Sequence, residues 1–379
     1  MQEFFKSLSF AEIILFSLLL FAFFWQIFYY LYFFGRIFFF REKAIPDSSL
    51  PPVSVIICAR NEEENLRENL NFVAEQQYPE YEVIVVNDCS EDETGEILKD
   101  YAARYKHFRF TTIKKDEKFS HGKKLAVMVG IKAAKYDTLL FTDADCKPQS
   151  PLWLKKMAGM LNEEQEICLG YSGFHRKRGF LNIFLRYDAF FIAMHYLSFA
   201  MAGKTYMGVG RNLAYRKHLF FDNKGFARHL DLDSGDDDLF INEVATRTNS
   251  VVSLSHEAQT RSAAPAQFSR WMRQKKRHRS TFPRYKASHK FWLSVEPVTR
   301  LLFYSAFITL LFFTPYYYVP VGIFVLRLIL LLMVNYKWSR RLNEKDLFLF
   351  SPVSDFLSIF TGLILVYRSI FGTKQTAWK

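Results

Sequence analysis

The stretch Leu139-Leu-Phe-Thr-Asp-Ala-Asp-Cys146 is the starting point for interpreting this chain, because it joins an apolar run to two acids one residue apart. The apolar residues predict a buried strand, and Asp143 and Asp145 fall where that strand ends. Carboxylate oxygens at the mouth of a sheet are the ligands that Mg²⁺ and Mn²⁺ prefer. The same pattern is also common in a simple turn, and Ser150-Pro151 suits the start of a helix. A metal site therefore needs support from the rest of the chain.

Strands and helices alternate on both sides of this stretch. Val53-Ser-Val-Ile-Ile-Cys58 and Val83-Ile-Val-Val86 are short apolar runs typical of buried strands. The apolar pattern predicts strand 53–58, helix 62–77, strand 83–86, helix 94–105, strand 108–113, helix 123–134 and strand 138–142. Such alternation predicts an α/β fold with a mostly parallel sheet and helices on both faces. Ligands of these sheets bind at the carboxyl ends of the strands.

Polar clusters follow several of the predicted strands. Ala59-Arg-Asn-Glu62 closes the first, Asn87-Asp88 the second, and Asp143-Ala-Asp145 a later one. Each cluster alone is more typical of a helix cap or a turn, but three on one edge of one sheet indicate a binding site. His121-Gly-Lys-Lys124 opens a helix, where lysines and free backbone amides bind phosphate or form a solvated basic turn.

Long apolar stretches predict segments that span a membrane. The chain has 379 residues, half of them hydrophobic, and Phe alone accounts for 41. Ile13 to Gly35 carries no charge and, as a helix, is long enough to cross about 30 Å of hydrocarbon. Leu301 to Tyr336 is long enough for two spans, and Pro315 and Pro320 mark the hairpin between them.

Basic residues flank these stretches and predict their orientation. Arg36 and Arg41 follow the first stretch, and Arg340 and Arg341 follow the second block, so these flanks are expected on the cytoplasmic side. A last apolar stretch, 347–367, either spans the bilayer or lies in its interface. We therefore predict an integral protein of the inner or plasma membrane in three parts: an N-terminal transmembrane anchor at 1–45, a cytoplasmic catalytic domain at 46–297, and a C-terminal transmembrane region of two or three helices at 298–379.

Two later motifs make the pattern specific. Ser234-Gly-Asp-Asp-Asp-Leu239 is an acidic cluster, and Gln267-Phe-Ser-Arg-Trp271 has the form Gln-x-x-Arg-Trp. With the motifs above, residues 52–280 resemble the inverting family 2 glycosyltransferases of the membrane-bound type. The resemblance implies a catalytic domain with the GT-A fold, which is Rossmann-like, has a mostly parallel sheet and binds nucleotide sugars.

The resemblance also implies roles for individual residues. It assigns Asp145 to the metal on the donor diphosphate, and only the second acid of the family's usual pair is present at Asn87-Asp88. It implies that the nucleotide sugar contacts Ala59, Asn61, Glu62, Asp88, Lys123, Asp143, Gln267, Arg270 and Trp271.

Catalysis would require an activated acceptor hydroxyl on one side of the sugar. The resemblance places the catalytic base at Asp237, with Asp236 as the alternative because three acids are consecutive. The same acids also suit the cap of a helix near Leu239. Segment 208–216, which includes Asn212, resembles the family's acceptor side. Trp271 would offer a flat wall to a sugar ring there, or be packed core, the commoner position of a Trp.

These features predict a membrane-anchored glycosyltransferase that depends on Mg²⁺ or Mn²⁺ and uses a nucleotide sugar, expected to be a UDP-sugar. The acceptor would be a polysaccharide, a lipid or a lipid-linked glycan. The alternatives are a nucleotide-binding membrane scaffold without turnover, and a nucleotidyl- or phosphotransferase, for which the Gln267 motif would not be needed. The net charge of +12 is concentrated in the acid-free run 270–290, which favours an anionic membrane surface and substrate phosphates over nucleic acid.

Overall fold

The computed structural model describes residues 8–42, 44–114 and 122–371, so His121 of the basic turn lies outside the described residues. The described chain separates into two compact units. Residues 41–285 and 341–343 form the first, called here the α/β unit. Residues up to 40, 286–340 and 344–371 form the second, called here the helical unit.

The α/β unit alternates strands and helices along its first half, as the sequence predicts. Its strands are β1 Val53–Ala59, β2 Tyr81–Asp88, β3 Phe108–Ile113, β4 Thr138–Asp143, β5 Cys146–Pro148, β6 Ile167–Gly170, β7 Ser172–Phe174, β8 Leu213–Arg216, β9 Ser250–Ser253 and β10 Thr260–Ser262. The helical unit contributes α1 Phe10–Tyr32 before them. The helices of the α/β unit are α2 Glu63–Ala74, α3 Thr94–Arg104, α4 Lys123–Ala133, α5 Trp153–Ala158, α6 Phe180–Met201, α7 Lys217–Asp222, α8 Asp238–Val244 and α9 Phe268–Arg279.

The central sheet has the strand order β3-β2-β1-β4-β8-β6-β9. Strands β3, β2, β1 and β4 run parallel, whereas β8 is antiparallel to both β4 and β6. The predicted mostly parallel sheet is therefore confirmed. Cys58 of β1 lies opposite Asp143 of β4, and Ala59 lies opposite Asn87 of β2. This register brings the carboxyl ends of three strands to one edge of the sheet.

The core explains why these strands are apolar without alternation. Leu66, Leu70 and Val73 of α2 are fully buried with the side chains of β1 on one sheet face. On the other face α4 lies close to the sheet, and a Cβ at Gly130 would stand 2.6 Å from the Ile56 side chain. Strands covered on both faces are buried throughout, which is the pattern of a parallel sheet.

The predicted elements of the first half all exist, and their ends differ by a few residues. The largest difference is the first helix, predicted over 62–77, which ends at Ala74. The chain turns there because Gln77 donates its backbone N–H to the carbonyl of Pro151, 2.8 Å away, rather than to the preceding helical turn. Tyr81 also donates its hydroxyl to the carbonyl of Ala74.

The helical unit contains long apolar helices. After α1 these are α10 Ala287–Phe313, α11 Tyr318–Arg341 and α12 Ser351–Phe371. The described residues hold four segments long and apolar enough to cross a membrane, and the last, 345–367, is the stretch that the sequence left undecided. The turn of the hairpin lies at 314–317, and Pro320 falls in the first turn of α11, where its missing N–H has no helical partner to lose.

A polar network lies buried among these apolar helices. Asp355 of α12 accepts hydrogen bonds from Arg327 of α11 at 2.8 Å and from Tyr304 of α10 at 2.8 Å. Arg327 also donates to Gln26 of α1 at 2.9 Å, and Arg300 donates to Asp355 at 3.3 Å. The network joins all four helices, and its charges are opposed in sign because charge without a partner is very costly in this environment.

Substitution of Asp355 by Leu is expected to lower the stability of the helical unit strongly, because the buried Arg327 and Arg300 lose their shared carboxylate. Removal of one member of a buried pair typically costs about 3–5 kcal/mol. Thermal unfolding of the detergent-solubilised protein would show it, with Lys345→Gln, an exposed charge removal, as the control. The double variant Arg327→Met, Asp355→Leu should regain part of the loss, and a double variant less stable than Asp355→Leu would contradict this account.

Candidate functional site

A pocket opens at the carboxyl edge of the central sheet. Its polar lining comes from the end of β4, the start of α4, the loop before β8 and the acidic cluster before α8. Its lining residues include Cys58, Lys123, Thr142, Asp143, Gly210, Asp236 and Asp237. Asp143 of the Asp-x-Asp motif therefore lines the same pocket as Asp236 and Asp237, which are far from it in the chain, whereas Asp145 is not one of the lining residues.

Lys123 connects the two acidic motifs. Its Nζ donates to Oδ1 of Asp143 at 2.8 Å and lies 3.6 Å from Oδ2 of Asp236. Burial opposes the charged form of Lys123, but the carboxylates of Asp143, Asp236 and Asp237 outweigh it and raise the lysine's pKa. Lys123 is therefore an ammonium group at neutral pH, held between the acids.

The neighbouring lysine has a different position. Lys124 donates from its Nζ to the backbone carbonyls of His229 and Leu232, the latter at 2.8 Å. It therefore fixes the loop that precedes the acidic cluster. Of the two lysines in the basic turn, only Lys123 lines the pocket.

The two acids of the Asp-x-Asp motif have different electrostatic surroundings. Burial would raise the pKa of Asp143, but Lys123, and further away Arg211 and Arg277, hold it below its usual value. Burial raises the pKa of Asp145, and the charge of Asp143 adds to that effect. The negative charge of Asp145 is therefore offset less by nearby cations than that of Asp143.

Asp145 suits a divalent cation bound in part by substrate. The described residues contain no group of three or more His, Cys, Asp or Glu side chains arranged to hold a metal ion alone. Mg²⁺ and similar ions are commonly held by one or two carboxylates together with substrate phosphates and water. The donor set at Asp145 fits that mode, in which the protein supplies only part of the coordination.

The three acids of the acidic cluster make different contacts. Asp237 is the N-cap of α8 and accepts backbone N–H groups from Asp238 and Gly210, each at 2.7 Å. The prediction that one of the acids caps a helix is confirmed, although the capping residue also lines the pocket. Burial raises the pKa of Asp236, an effect that Lys123 opposes.

The carboxylate of Asp238 is not paired with Lys123, and it binds a later segment of the chain at Thr281 and Tyr285. Its Oδ2 accepts hydrogen bonds from the hydroxyls of Thr281 at 2.5 Å and Tyr285 at 2.8 Å. Burial, with the adjacent charge of Asp237, raises the pKa of Asp238 to about 7. The acidic cluster is thereby connected to the chain just beyond α9.

The loop after β1 lies beside the Asp-x-Asp motif. Burial raises the pKa of Glu62, against a hydrogen bond from Asn65, and the charges of Asp145 and Asp143 raise it further. Asn61 has a left-handed backbone, with φ of 54°, and its side-chain oxygen accepts the N–H of Glu91 at 2.8 Å. These contacts place the loop near the acids, as the sequence predicts from strand ends.

Two further predicted contacts lie at the same edge but are buried. Ala59 is fully buried in β1, so only its backbone can face a ligand. Asp88 is also fully buried at the end of β2, where the thiol of Cys89 lies 3.7 Å from its carboxylate. The structure therefore brings both positions to the sheet edge without exposing their side chains.

The residues of the Gln-x-x-Arg-Trp motif are not among those that line the pocket. Trp271 is 2% exposed, packs against Phe184 and Phe268, and donates from Nε1 to Asp188 at 3.3 Å. The expectation that it forms a wall for a sugar ring is replaced by a core position, because its ring and its N–H are both occupied. Gln267, the N-cap of α9, and Arg270 in its first turn are both exposed.

Asn212 also has a structural position. It is fully buried, accepts the Nε1–H of Trp153 at 3.0 Å, and donates to the carbonyls of Tyr171 and Ala258. With its side chain saturated in this way, Asn212 fixes the loop before β8 and has no surface to offer an acceptor. The sequence interpretation of Asn212 as an acceptor-side residue is corrected accordingly.

The sequence analysis did not identify Arg211, which lies near the two acids of the Asp-x-Asp motif. It donates to Ser262 at 3.1 Å, and its charge acts on both Asp143 and Asp145. The signal was present, since Arg211 lies inside the segment 208–216 already singled out, but nothing in the residue pattern showed that it faces the Asp-x-Asp motif.

Part of the α/β unit is similar in sequence to known proteins. Residues 54–221 match the family model described as Glycosyl transferase family 2. The probable glycosyltransferase YdaM of Bacillus subtilis is 34% identical over 118 residues, which are 31% of this chain and 28% of that protein. The poly-beta-1,6-N-acetyl-D-glucosamine synthase of Staphylococcus epidermidis is 36% identical over 93 residues, which are 24% of this chain and 21% of that protein. In both cases the match spans less than a third of the relative's length.

A solved structure is similar over nearly the whole chain. It is that of the mannosyltransferase PcManGT from Pyrobaculum calidifontis in complex with GDP-Man and Mn²⁺. The TM-score is 0.60, with 16% sequence identity over 96% of this chain and 99% of that one. The predicted GT-A-like fold is therefore confirmed.

Asp238 is expected to make stability depend on pH. Its pKa is about 7 in the folded chain, against 3.8 as the ordinary value, so folding favours the protonated carboxyl. This contribution is complete below pH 4 and is lost as the pH rises through about 7. In Asp238→Asn the side chain cannot ionise, so its melting temperature relative to the unsubstituted protein should rise between pH 5 and pH 8.

Differential scanning fluorimetry across that range measures the effect. Asp222→Asn, at an exposed carboxylate, is the control and should show a difference that does not change with pH. A pH-independent difference for Asp238→Asn would contradict the assignment.

Proposed function

We propose, on the basis of the glycosyl transferase family 2 domain at residues 54–221, that this protein is a membrane-anchored glycosyltransferase. It takes a sugar from a nucleotide sugar and transfers it to a polysaccharide, lipid or lipid-linked acceptor. The helical unit would anchor it in the bilayer, with the α/β unit on the cytoplasmic side, as the flanking basic residues suggest.

One observation carries the proposal. Asp143 of the Asp-x-Asp motif and Asp236 of the acidic cluster are far apart in the chain but line one pocket. The Nζ of Lys123 bridges them, 2.8 Å from Asp143 and 3.6 Å from Asp236. Displacement of a nucleoside diphosphate needs a base on one side of the sugar and charge neutralisation on the other. The two acidic motifs supply these two functions in neighbouring positions.

Asp237 is the proposed catalytic base. The N–H groups of Gly210 and Asp238 hold its two carboxylate oxygens in place, and each oxygen retains a lone pair for the acceptor's proton. Asp236 is the second choice, because Lys123 lies beside it and competes for its charge. The base would remove the proton as the acceptor oxygen attacks, and direct attack inverts the anomeric configuration.

Asp145 is the proposed ligand for Mg²⁺ or Mn²⁺. Bound there, such a cation would supply Lewis-acid neutralisation of the departing diphosphate. Lys123 holds Asp143 as a carboxylate beside it, and Arg211 contributes a fixed positive charge. These residues set the charge of the pocket before any substrate is bound.

The donor's nucleoside would lie against the loop after β1. Asn61 and Glu62 place polar groups there, and Asp88 lies at the end of the neighbouring strand. We propose a UDP-sugar as the first donor to test. The fold neighbour is solved with GDP-Man, so GDP-sugars belong in the same panel.

The expected result is nucleoside diphosphate release with one donor, loss of release in EDTA, and loss in Asp237→Asn. General base removal commonly costs about 10²–10⁴-fold in rate. Release would be measured with purified protein in native lipid extract, with Asp222→Asn as the matched control. If Asp236→Asn abolishes release and Asp237→Asn does not, the base is Asp236; donor binding without release in any lipid extract would favour a silent nucleotide-binding scaffold.

The product should have the opposite anomeric configuration to the donor, because only one displacement occurs at the sugar. NMR of the product's anomeric proton measures this directly. A retained configuration would exclude direct attack by the acceptor. The product's length distribution separates the acceptor classes: a ladder of lengths indicates polymerisation, and one lipid-soluble product indicates a single transfer.

A further inference from the structure

Helix α9 is held at both ends against the α/β unit. Trp271 in its first turn and Lys275, about one turn further on, both contact the carboxylate of Asp188. Just beyond its C-terminus, the Thr281 hydroxyl donates to Asp238 of the acidic cluster. The C-terminal end of the helix is therefore fixed to the acidic cluster.

Three arginines, Arg270, Arg273 and Arg277, follow the i, i+3, i+7 spacing of one face of this helix. Arg270, the arginine of the sequence motif, and Arg277 are seven residues apart, which is nearly two full helical turns. Their Cα atoms are displaced by about 10 Å along the axis, at a rise of about 1.5 Å per residue. Arg270 is exposed near the far end, whereas Arg277 is partly buried at the end fixed to the acidic cluster.

Arg277 is not one of the residues that line the pocket, but it lies near them. Its charge acts on the Asp143 carboxylate. Its Nε is shielded from solvent and has no hydrogen-bond partner in the part of the chain that the structure describes. Lys275, on the same helix, is by contrast already paired with Asp188.

We infer that Arg277, and not Arg270 of the Gln-x-x-Arg-Trp motif, binds the diphosphate of the nucleotide donor. The inference rests on the proposed function and assigns a further residue to it. A guanidinium presents a planar fork that matches two phosphate oxygens, and an unpartnered Nε beside the Asp-x-Asp motif leaves one prong of that fork open. Arg277 would thus add fixed positive charge on the leaving-group side.

The test compares nucleoside diphosphates with monophosphates. Titration calorimetry of the purified full-length protein with UDP, UMP, GDP and GMP, in Mg²⁺ or Mn²⁺, gives the ratio of monophosphate Kd to diphosphate Kd. Arg277→Gln should reduce this ratio by roughly 10-fold to 100-fold, because hydrogen bonds to charged groups contribute about 1.5–3 kcal/mol. The ratio does not depend on how much of a variant is folded.

Two matched substitutions on the same helix define the outcome. Arg270→Gln and Arg273→Gln remove exposed guanidinium groups and should leave the ratio unchanged. A reduced ratio in Arg270→Gln with an unchanged ratio in Arg277→Gln would overturn the inference and leave the transferase proposal standing. Equal weakening of both nucleotides by Arg277→Gln would also overturn it, by showing a structural role. Absence of any nucleotide binding by the unsubstituted protein would instead overturn the proposed function.

Discussion

The position of the Lys123 ammonium between Asp143 and Asp236 is the interaction on which the pocket depends. Carboxylates from the end of β4 and the start of α8 meet in a partly buried space, where like charges repel one another strongly. Lys123 at the first turn of α4 offsets that repulsion at 2.8 Å and 3.6 Å. A strand end and two helix starts are thereby connected through one side chain. Without it, at least one of the acids would take up a proton, and the pocket would lose the charge that a cation requires.

Several residues with the appearance of ligands act by holding this arrangement in place. Asn212 is saturated by hydrogen bonds within the loop before β8, and the same loop offers the Gly210 N–H to Asp237. Trp271 fixes one end of α9, and Asp238 fixes the other. Saturated buried polar groups of this kind rigidify a site, because leaving one of them unpaired is costly. Motif residues can therefore support a binding site without touching its ligand.

The helical unit solves the same electrostatic problem in an apolar setting. Arg327, Arg300 and Asp355 lie on three different helices, and each charge finds its partner on another. Charges within membrane-spanning helices are rare, and they face the interior of the bundle when present. The pairing favours one packing arrangement among apolar faces that would otherwise tolerate several. Sequence showed the individual charges as isolated interruptions of apolar stretches, and only the packing of the helices revealed them as one network.

The order of strands and helices as far as Asp143, the apolar spans and the positions of the acidic motifs were determined by the sequence alone. These features follow from local patterns: apolar periodicity sets each element, and polar residues at strand ends mark the ligand edge. Tertiary structure alone decided that β8 runs antiparallel beside β4, that Trp271 points into the core, and that the charge of Arg277 acts on Asp143. The physical reason is that side-chain direction and partnership depend on contacts between segments distant in the chain. Spacing along the sequence shows which residues share a helix face, but it does not show which residues of other segments that face contacts.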